Sequence, residues 1–82
     1  MEKSIHLPEY KMLLAWLQDK RIKQGISARR LSEKLNSPHS WISKVEAGER
    51  RLDVIEFLRI CNSLHADPHE VIDLITSSFF KP

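Results

Sequence analysis

The chain has 82 residues, of which 41% are hydrophobic and 29% charged, and its net charge is +2; this is the composition of one small soluble domain and is too apolar for a disordered tail. The single cysteine, Cys61, excludes an internal disulfide and leaves no second thiolate for a metal site. No apolar run approaches the roughly 20 residues of a membrane span, and no export signal is recognisable, so we expect a cytoplasmic protein without a membrane segment.

β-Branched residues never alternate along the chain as they would in long strands, so we expect helices and no long strands. Five helices are predicted. The first helix begins at Pro8, carries leucines at three-and-four spacing, and ends at Gly25. The second is short, with Ser27 as its N-cap, and ends near Asn36. We therefore expect a compact all-α fold.

A third helix is predicted next, with Ser37 as its cap and Pro38 in its first position. Ile42 and Val45 form its inward pair, and Gly48 ends it. The second and third helices are short, amphipathic and separated by about three residues. This spacing is typical of a helix-turn-helix unit.

The fourth helix is capped by Asp53, and its inward residues are predicted to be Ile55, Leu58, Cys61 and Leu64. For the fifth helix, Asp67, Pro68 and Glu70 have the spacing of an N-cap, a first-turn proline and a capping-box acid. Its apolar residues are Val71, Ile72, Leu74 and Ile75.

The first four helices are each followed by a residue suited to left-handed backbone. These residues are Gly25, Asn36, Gly48 and His65. Glycine adopts that conformation freely, and Asn and His are enriched there among the other residues. The pattern supports the helix boundaries independently of the apolar spacing, and it gives His65 a structural explanation before any metal or acid-base role.

Charge is distributed unevenly. Residues 1–19 carry −1 and residues 52–82 carry −3, whereas residues 20–51 carry nine bases against three acids, a net +6. The bases are Lys20, Arg21, Lys23, Arg29, Arg30, Lys34, Lys44, Arg50 and Arg51. A basic middle segment favours a polyanionic partner, and the alternative is an ordinary solvated surface.

The third helix has an outward face that fits a major groove. At about 100° per residue, the side opposite Ile42 and Val45 carries small, polar and cationic residues. They are His39, Ser40, Ser43, Lys44 and Ala47. The hydroxyls and the imidazole can exchange hydrogen bonds with base edges, and the ammonium can meet a base acceptor or a phosphate.

A resemblance to helix-turn-helix regulators of the Xre, Cro and CI type, the lambda-repressor-like family, is carried by the stretch SARRLSEKLNSPHSWISKVEAGERRLDVIEFLRICNSLHADP. It runs from about Leu17 to Leu74 and is most specific from Ser37 to Arg51. It implies a single helix-turn-helix domain over residues 1–82, with the helix pair at about 27–46. It also implies operator binding, usually as a homodimer, with the second paired helix in the major groove.

Carried over by position, the resemblance assigns base-reading and neighbouring phosphate positions to His39, Ser40, Ser43 and Lys44. It matches Glu46, Gly48 and Glu49 to the loop that ends the reading helix, and it places Arg50 and Arg51 on backbone phosphates.

Two positions depart from the family pattern. Where members often have a phosphate-contacting glutamine, this chain has Ala28, and Arg29 or Arg30 can replace that contact electrostatically. Asn36 stands in place of the turn glycine, and asparagine also adopts the left-handed backbone expected there.

The aromatic residues leave alternatives open. Trp41 either packs in the core, the better prediction, or reaches the sugar-phosphate backbone. Trp16 is an exposed aromatic, a lid over the core or an interface anchor. Of Phe79 and Phe80, one is expected to pack on the fifth helix and the other against a second subunit or an unknown partner, unless the tail is frayed. In the family the last helix, here about 67–79, commonly forms the two-fold contact.

The sequence predicts a transcriptional regulator that binds double-stranded DNA sequence-specifically. We expect a repressor that binds an inverted-repeat operator and is encoded by a bacterium or phage. The alternative is a protein-interaction module, such as an antitoxin whose acidic end binds a basic partner. An enzyme is disfavoured because no paired carboxylates or metal-spaced ligands are recognisable, and no cofactor is expected. RNA binding is disfavoured by the lack of a stacking sheet or Gly-rich loop.

Overall fold

The computed structural model describes residues 7–79, which form five helices. The helices are α1 (Pro8–Lys23), α2 (Ala28–Lys34), α3 (Trp41–Glu46), α4 (Val54–Leu64) and α5 (Pro68–Phe79). The predicted all-α class and the predicted number and order of helices are therefore confirmed. α1 contacts α3, α4 and α5, and α2 packs on α3. α1 is therefore the central helix of the domain.

The four predicted left-handed residues are confirmed. Gly25, Asn36, Gly48 and His65 have φ of 68°, 54°, 76° and 53°. Each follows a helix and turns the chain toward the next one, which is why four of the predicted boundaries lie within a few residues of the observed ones. The left-handed backbone angle accounts for a histidine at position 65, so no functional role is needed to explain it.

The N-terminal caps agree with the sequence at α2 and α4. The Arg30 N–H donates to Ser27 Oγ at 3.0 Å. At α4 the capping box is complete, because Asp53 accepts from the Glu56 N–H at 2.7 Å and Glu56 accepts from the Asp53 N–H at 2.9 Å. These bonds satisfy donors that the first turn of a helix leaves free.

The predicted start of the third helix is wrong by three residues. Residues 38–40 form a turn in which the Trp41 N–H donates to the Pro38 carbonyl, and α3 begins only at Trp41. Ser37 does not cap the helix, because its hydroxyl donates back to the Leu35 carbonyl at 3.2 Å. Ser-Pro suits the beginning of a turn as well as that of a helix, and the short link to α2 selects the turn here.

The core lies between α1, α2, α3 and α4 and is closed by α5. Its buried members are Leu14, Trp16, Leu17, Leu31, Leu35, Ile42, Val45, Phe57, Ile60, Cys61, Leu64 and Val71. Burial, with a smaller contribution from the Asp67 carboxylate, raises the pKa of Cys61 to about 11. The thiol therefore acts as a small apolar core group.

The predicted inward face of α4 is partly wrong. Cys61 and Leu64 are buried as predicted, but Ile55 is 65% exposed and Leu58 42% exposed. Phe57 and Ile60 are buried instead. The helix has two apolar stripes. The one that contains the phenylalanine continues through Ile60 and Cys61 to Leu64, whereas the other ends at Leu58, so turning the first inward buries more apolar surface.

The fifth helix buries only part of its apolar surface. Val71 is buried and Ile75 is half-buried, while Ile72 and Leu74 are exposed. α5 packs mainly on α1, so only a narrow stripe of it is covered.

Glu70 does not complete a capping box on α5. Asp67 accepts from the His69 N–H as an N-cap would, but Glu70 reaches across to α1. It accepts from Trp16 Nε1 at 2.9 Å and pairs with Lys20 at 3.1 Å. The bond from Trp16, assisted by Lys20, holds the pKa of Glu70 below its usual 4.5, so its carboxylate ties α5 to α1 at neutral pH.

No helix within residues 7–79 is long and apolar enough to cross a membrane.

Candidate nucleic-acid interface

The inward side of α3 is formed by the predicted pair. Ile42 and Val45 are each 2% exposed. They lie under the helix, beside Leu31, the buried leucine of α2. This packing fixes which side of α3 faces solvent.

The outward side of the same unit carries the predicted polar residues. His39, Ser40, Ser43 and Lys44 are all exposed. His39 and Ser40 belong to the turn before α3, with Ser40 as N-cap residue, and Ser43 and Lys44 belong to the helix. The structure thus brings these four side chains to the solvent side of the helix pair, opposite its two buried aliphatics.

A buried serine that sequence reasoning missed joins the two helices. Ser32 is fully buried; its hydroxyl donates to the Ala28 carbonyl at 2.9 Å and accepts from the Ile42 N–H at 3.0 Å. Ile42 is in the first turn of α3, where amide groups have no partner within the helix. A side chain of α2 therefore caps α3 and sets how the two helices meet.

Replacing Ser32 with alanine is expected to lower the free energy of unfolding by about 1–3 kcal/mol, because the Ile42 N–H loses its buried acceptor. Urea denaturation measures the loss, and amide exchange by NMR should show faster exchange at Ile42. Ser77→Ala, on the exposed side of α5, is the control and should change neither quantity. Unchanged exchange at Ile42 would contradict the assigned role.

An ion pair that was also missed fixes α3 against α1. Arg21 Nε lies 2.7 Å from Glu46 Oε2, and Arg21 Nη2 lies 3.0 Å from Glu46 Oε1. Both side chains are largely buried, at 14% and 12% exposure. Arg21 Nη1 also donates to the Ile26 carbonyl, and Gln18 Nε2 donates to Glu46. The pair is 25 residues apart in sequence, and no local pattern signals it.

The predicted phosphate-contacting arginines lie in two exposed groups. Arg29 and Arg30 begin α2, and each approaches Glu33. Arg50 and Arg51 lie in the loop after α3, and Arg50 pairs with Glu56 at 3.3 Å. The two groups thus stand at the start of the helix pair and just beyond its end.

Trp41 is half-buried and packs against the core. This agrees with core packing, the preferred one of its two predictions. Beside it, a cleft of about 260 Å³ separates the turn before α3 from α4. Arg50 and Arg59 both line this cleft. Arg59, which belongs to the acidic third of the sequence, is thereby brought next to the basic segment.

Trp16 is not an exposed anchor. It is 9% exposed, its ring centroid lies 6.5 Å from that of Phe57, and Lys20 stands over it. Of the three alternatives, the structure supports the lid over the core, because α5 covers the side of α1 that carries the indole. Phe79 is 64% exposed at the end of α5, and Phe80 lies outside the described residues.

Residues 12–74 match the model of a helix-turn-helix domain. Among solved structures, the chain is similar to an XRE-family like protein from Pseudomonas syringae pv. tomato str. DC3000, with 37% identity, a TM-score of 0.81 and coverage of 92% of each chain. No curated protein gives a significant match. The chain therefore belongs to the XRE-type helix-turn-helix family of DNA-binding regulators.

Proposed function

We propose that this protein is a repressor that binds an inverted-repeat operator with α3 in the major groove. The observation that supports it is the division of one short segment into two sides. Ile42 and Val45 are buried, while His39, Ser40, Ser43 and Lys44 are exposed. Short hydroxyls let a helix approach base edges closely, and Lys44 supplies a cation at the groove wall.

The flanking arginines complete the site electrostatically. Arg29 and Arg30 lie at one end of the helix pair, and Arg50 and Arg51 follow its other end. Guanidinium groups on both sides of a reading helix suit the two phosphate backbones that border a groove. Binding through such contacts releases counterions, so affinity should fall steeply with salt.

The proposed active form is a homodimer through α5. Ile72 and Phe79 are exposed apolar residues on this helix. Next to Ile72, a largely apolar groove of about 240 Å³ runs between α1, α4 and α5. A second copy covering this face would bury it, and a two-fold axis would place the reading helices about 34 Å apart, one turn of duplex.

The experiment begins with selection of binding sites from randomised duplex DNA, followed by titration of variants on the selected site. Ser43→Ala and Lys44→Ala are each expected to weaken binding by about 5-fold to 150-fold, the range for a lost base contact. Lys11→Ala, an exposed change on α1, is the matched control and should bind as the parent does. Unchanged affinity in both α3 variants would overturn the proposal, as would equal competition by single-stranded RNA.

A protein-interaction module is the second candidate, and the exposed apolar residues of α4 favour it. Val54, Ile55 and Leu58 lie side by side on the solvent-facing stripe of that helix. Such a patch is typical of a protein contact. If a protein co-purifies with the chain, the α3 variants separate the two functions, because they should weaken operator binding and leave the protein complex intact.

A further inference from the structure

The last turn of α2 carries a carboxylate that faces two guanidinium groups and an imidazole. Glu33 Oε2 lies 3.8 Å from Arg29 Nε and 3.6 Å from His39 Nε2, and Glu33 Oε1 lies 3.7 Å from Arg30 Nη1. The two arginines come from the start of the same helix, and the histidine comes from the turn that leads into α3. One acidic side chain therefore faces three of the residues proposed to contact DNA.

These contacts contribute little to the fold. The side chains of Arg29, Arg30 and His39 are 60–69% exposed, and each separation from Glu33 is longer than a hydrogen bond. Exposed ion pairs of this kind stabilise proteins weakly. A negative charge near the C-terminal end of a helix also opposes the helix dipole. The position of Glu33 is thus not one that stabilises α2.

The other acids of the basic segment differ from Glu33. Glu46 is largely buried and holds Arg21, so its charge is already neutralised within the fold. Glu49 is exposed in the loop after α3, next to Arg50, whose guanidinium pairs with Glu56. Glu33 alone among the three approaches both the arginines that begin α2 and the turn that begins the reading segment.

We infer that Glu33 is an intramolecular competitor for DNA phosphate that sets the affinity of the site. In the free protein the negative charge of Glu33 lies among Arg29, Arg30 and His39, in the place that a DNA phosphate would take. When a phosphate approaches these groups, the cations must leave Glu33 or share it, and the carboxylate repels the phosphate directly. Both effects weaken binding and act through screened Coulomb forces, so they should fade as salt is raised. This inference rests on the proposed function.

Glu33→Gln tests it, because glutamine keeps the shape and removes the charge. Duplex affinity should increase by about threefold to tenfold per subunit at low salt, the advantage should shrink as salt increases, and the plot of log affinity against log salt should become steeper. Asp19→Asn on α1 makes the same change in net charge and also removes an exposed carboxylate that pairs with a cation, Lys23. It should alter affinity by less than about twofold if proximity to the proposed DNA contacts is what matters. Thermal unfolding of all three proteins checks that the fold is kept.

The outcomes separate the inference from the function on which it rests. If the parent protein binds its selected duplex and loses binding on Ser43→Ala and Lys44→Ala, the proposed function stands. Equal or weaker binding by Glu33→Gln would then overturn the inference alone, since Glu33 would be holding the cations in place rather than competing for them. An equal gain from Asp19→Asn would also overturn it, because net charge would explain the result. If the parent does not bind duplex DNA, the proposed function and the inference about Glu33 are both wrong.

Discussion

Replacing Glu46 with alanine is expected to lower the free energy of unfolding by about 3 kcal/mol, the cost of breaking a largely buried ion pair from one side. The variant leaves the Arg21 guanidinium in a site that is 14% exposed on its side chain, without the carboxylate that accepts two of its N–H groups. Urea denaturation followed by circular dichroism measures the change. Because the pair joins α1 to α3, duplex binding should also weaken, although Glu46 itself is not assigned a DNA contact.

Arg21→Ala and the double variant supply the controls. The coupling free energy from this cycle should be about 1–3 kcal/mol, as for residues in direct contact. A second pair, Arg21→Met with Glu46→Leu, fills the site with apolar groups and should recover much of the lost stability, since it leaves no unpaired charge. Additive losses in the alanine cycle would show that the two side chains do not act as a pair.

Replacing Ile60 with alanine is expected to cost about 3–4 kcal/mol of unfolding free energy, the range for truncating a buried aliphatic side chain. Ile55→Ala is the matched control on the same helix and should cost less than about 1 kcal/mol, because its side chain is mostly in water. Their exposures are 2% and 65%. Denaturant titrations of the two variants, made at the same protein concentration, give the comparison.

The opposite result would have a definite meaning. If Ile55→Ala costs as much as Ile60→Ala, then α4 faces the core with its other stripe, as the sequence alone predicted, or a second copy covers it. These two explanations separate on dilution, since stabilisation by association depends on protein concentration.

Much of the candidate site was predictable because its signals are local. The left-handed residues Asn36 and His65 mark helix ends through their own backbone preferences. Ile42 and Val45 are the aliphatic pair that a short amphipathic helix must bury, so the polar side of α3 follows from them by rotation alone.

The remaining features depend on neighbours that are distant in sequence. The first turn of α3 is capped by Ser32, ten positions before Ile42, whose N–H the Ser32 hydroxyl accepts. Trp16 became a core residue because Glu70, 54 positions later, accepts its indole N–H. The carboxylate that a capping box would use inside α5 was taken by this longer contact.

By itself, then, the sequence determined five helices, four left-handed helix ends and the two sides of α3, since each of these follows from the preferences and spacing of residues within one or two turns. Only the tertiary structure decided which stripe of α4 is buried, how Ser32 and the Arg21–Glu46 pair hold α3, and that Glu33 faces Arg29, Arg30 and His39. Packing makes these choices because two apolar stripes, or several possible charge partners, are locally equivalent until another helix occupies one side.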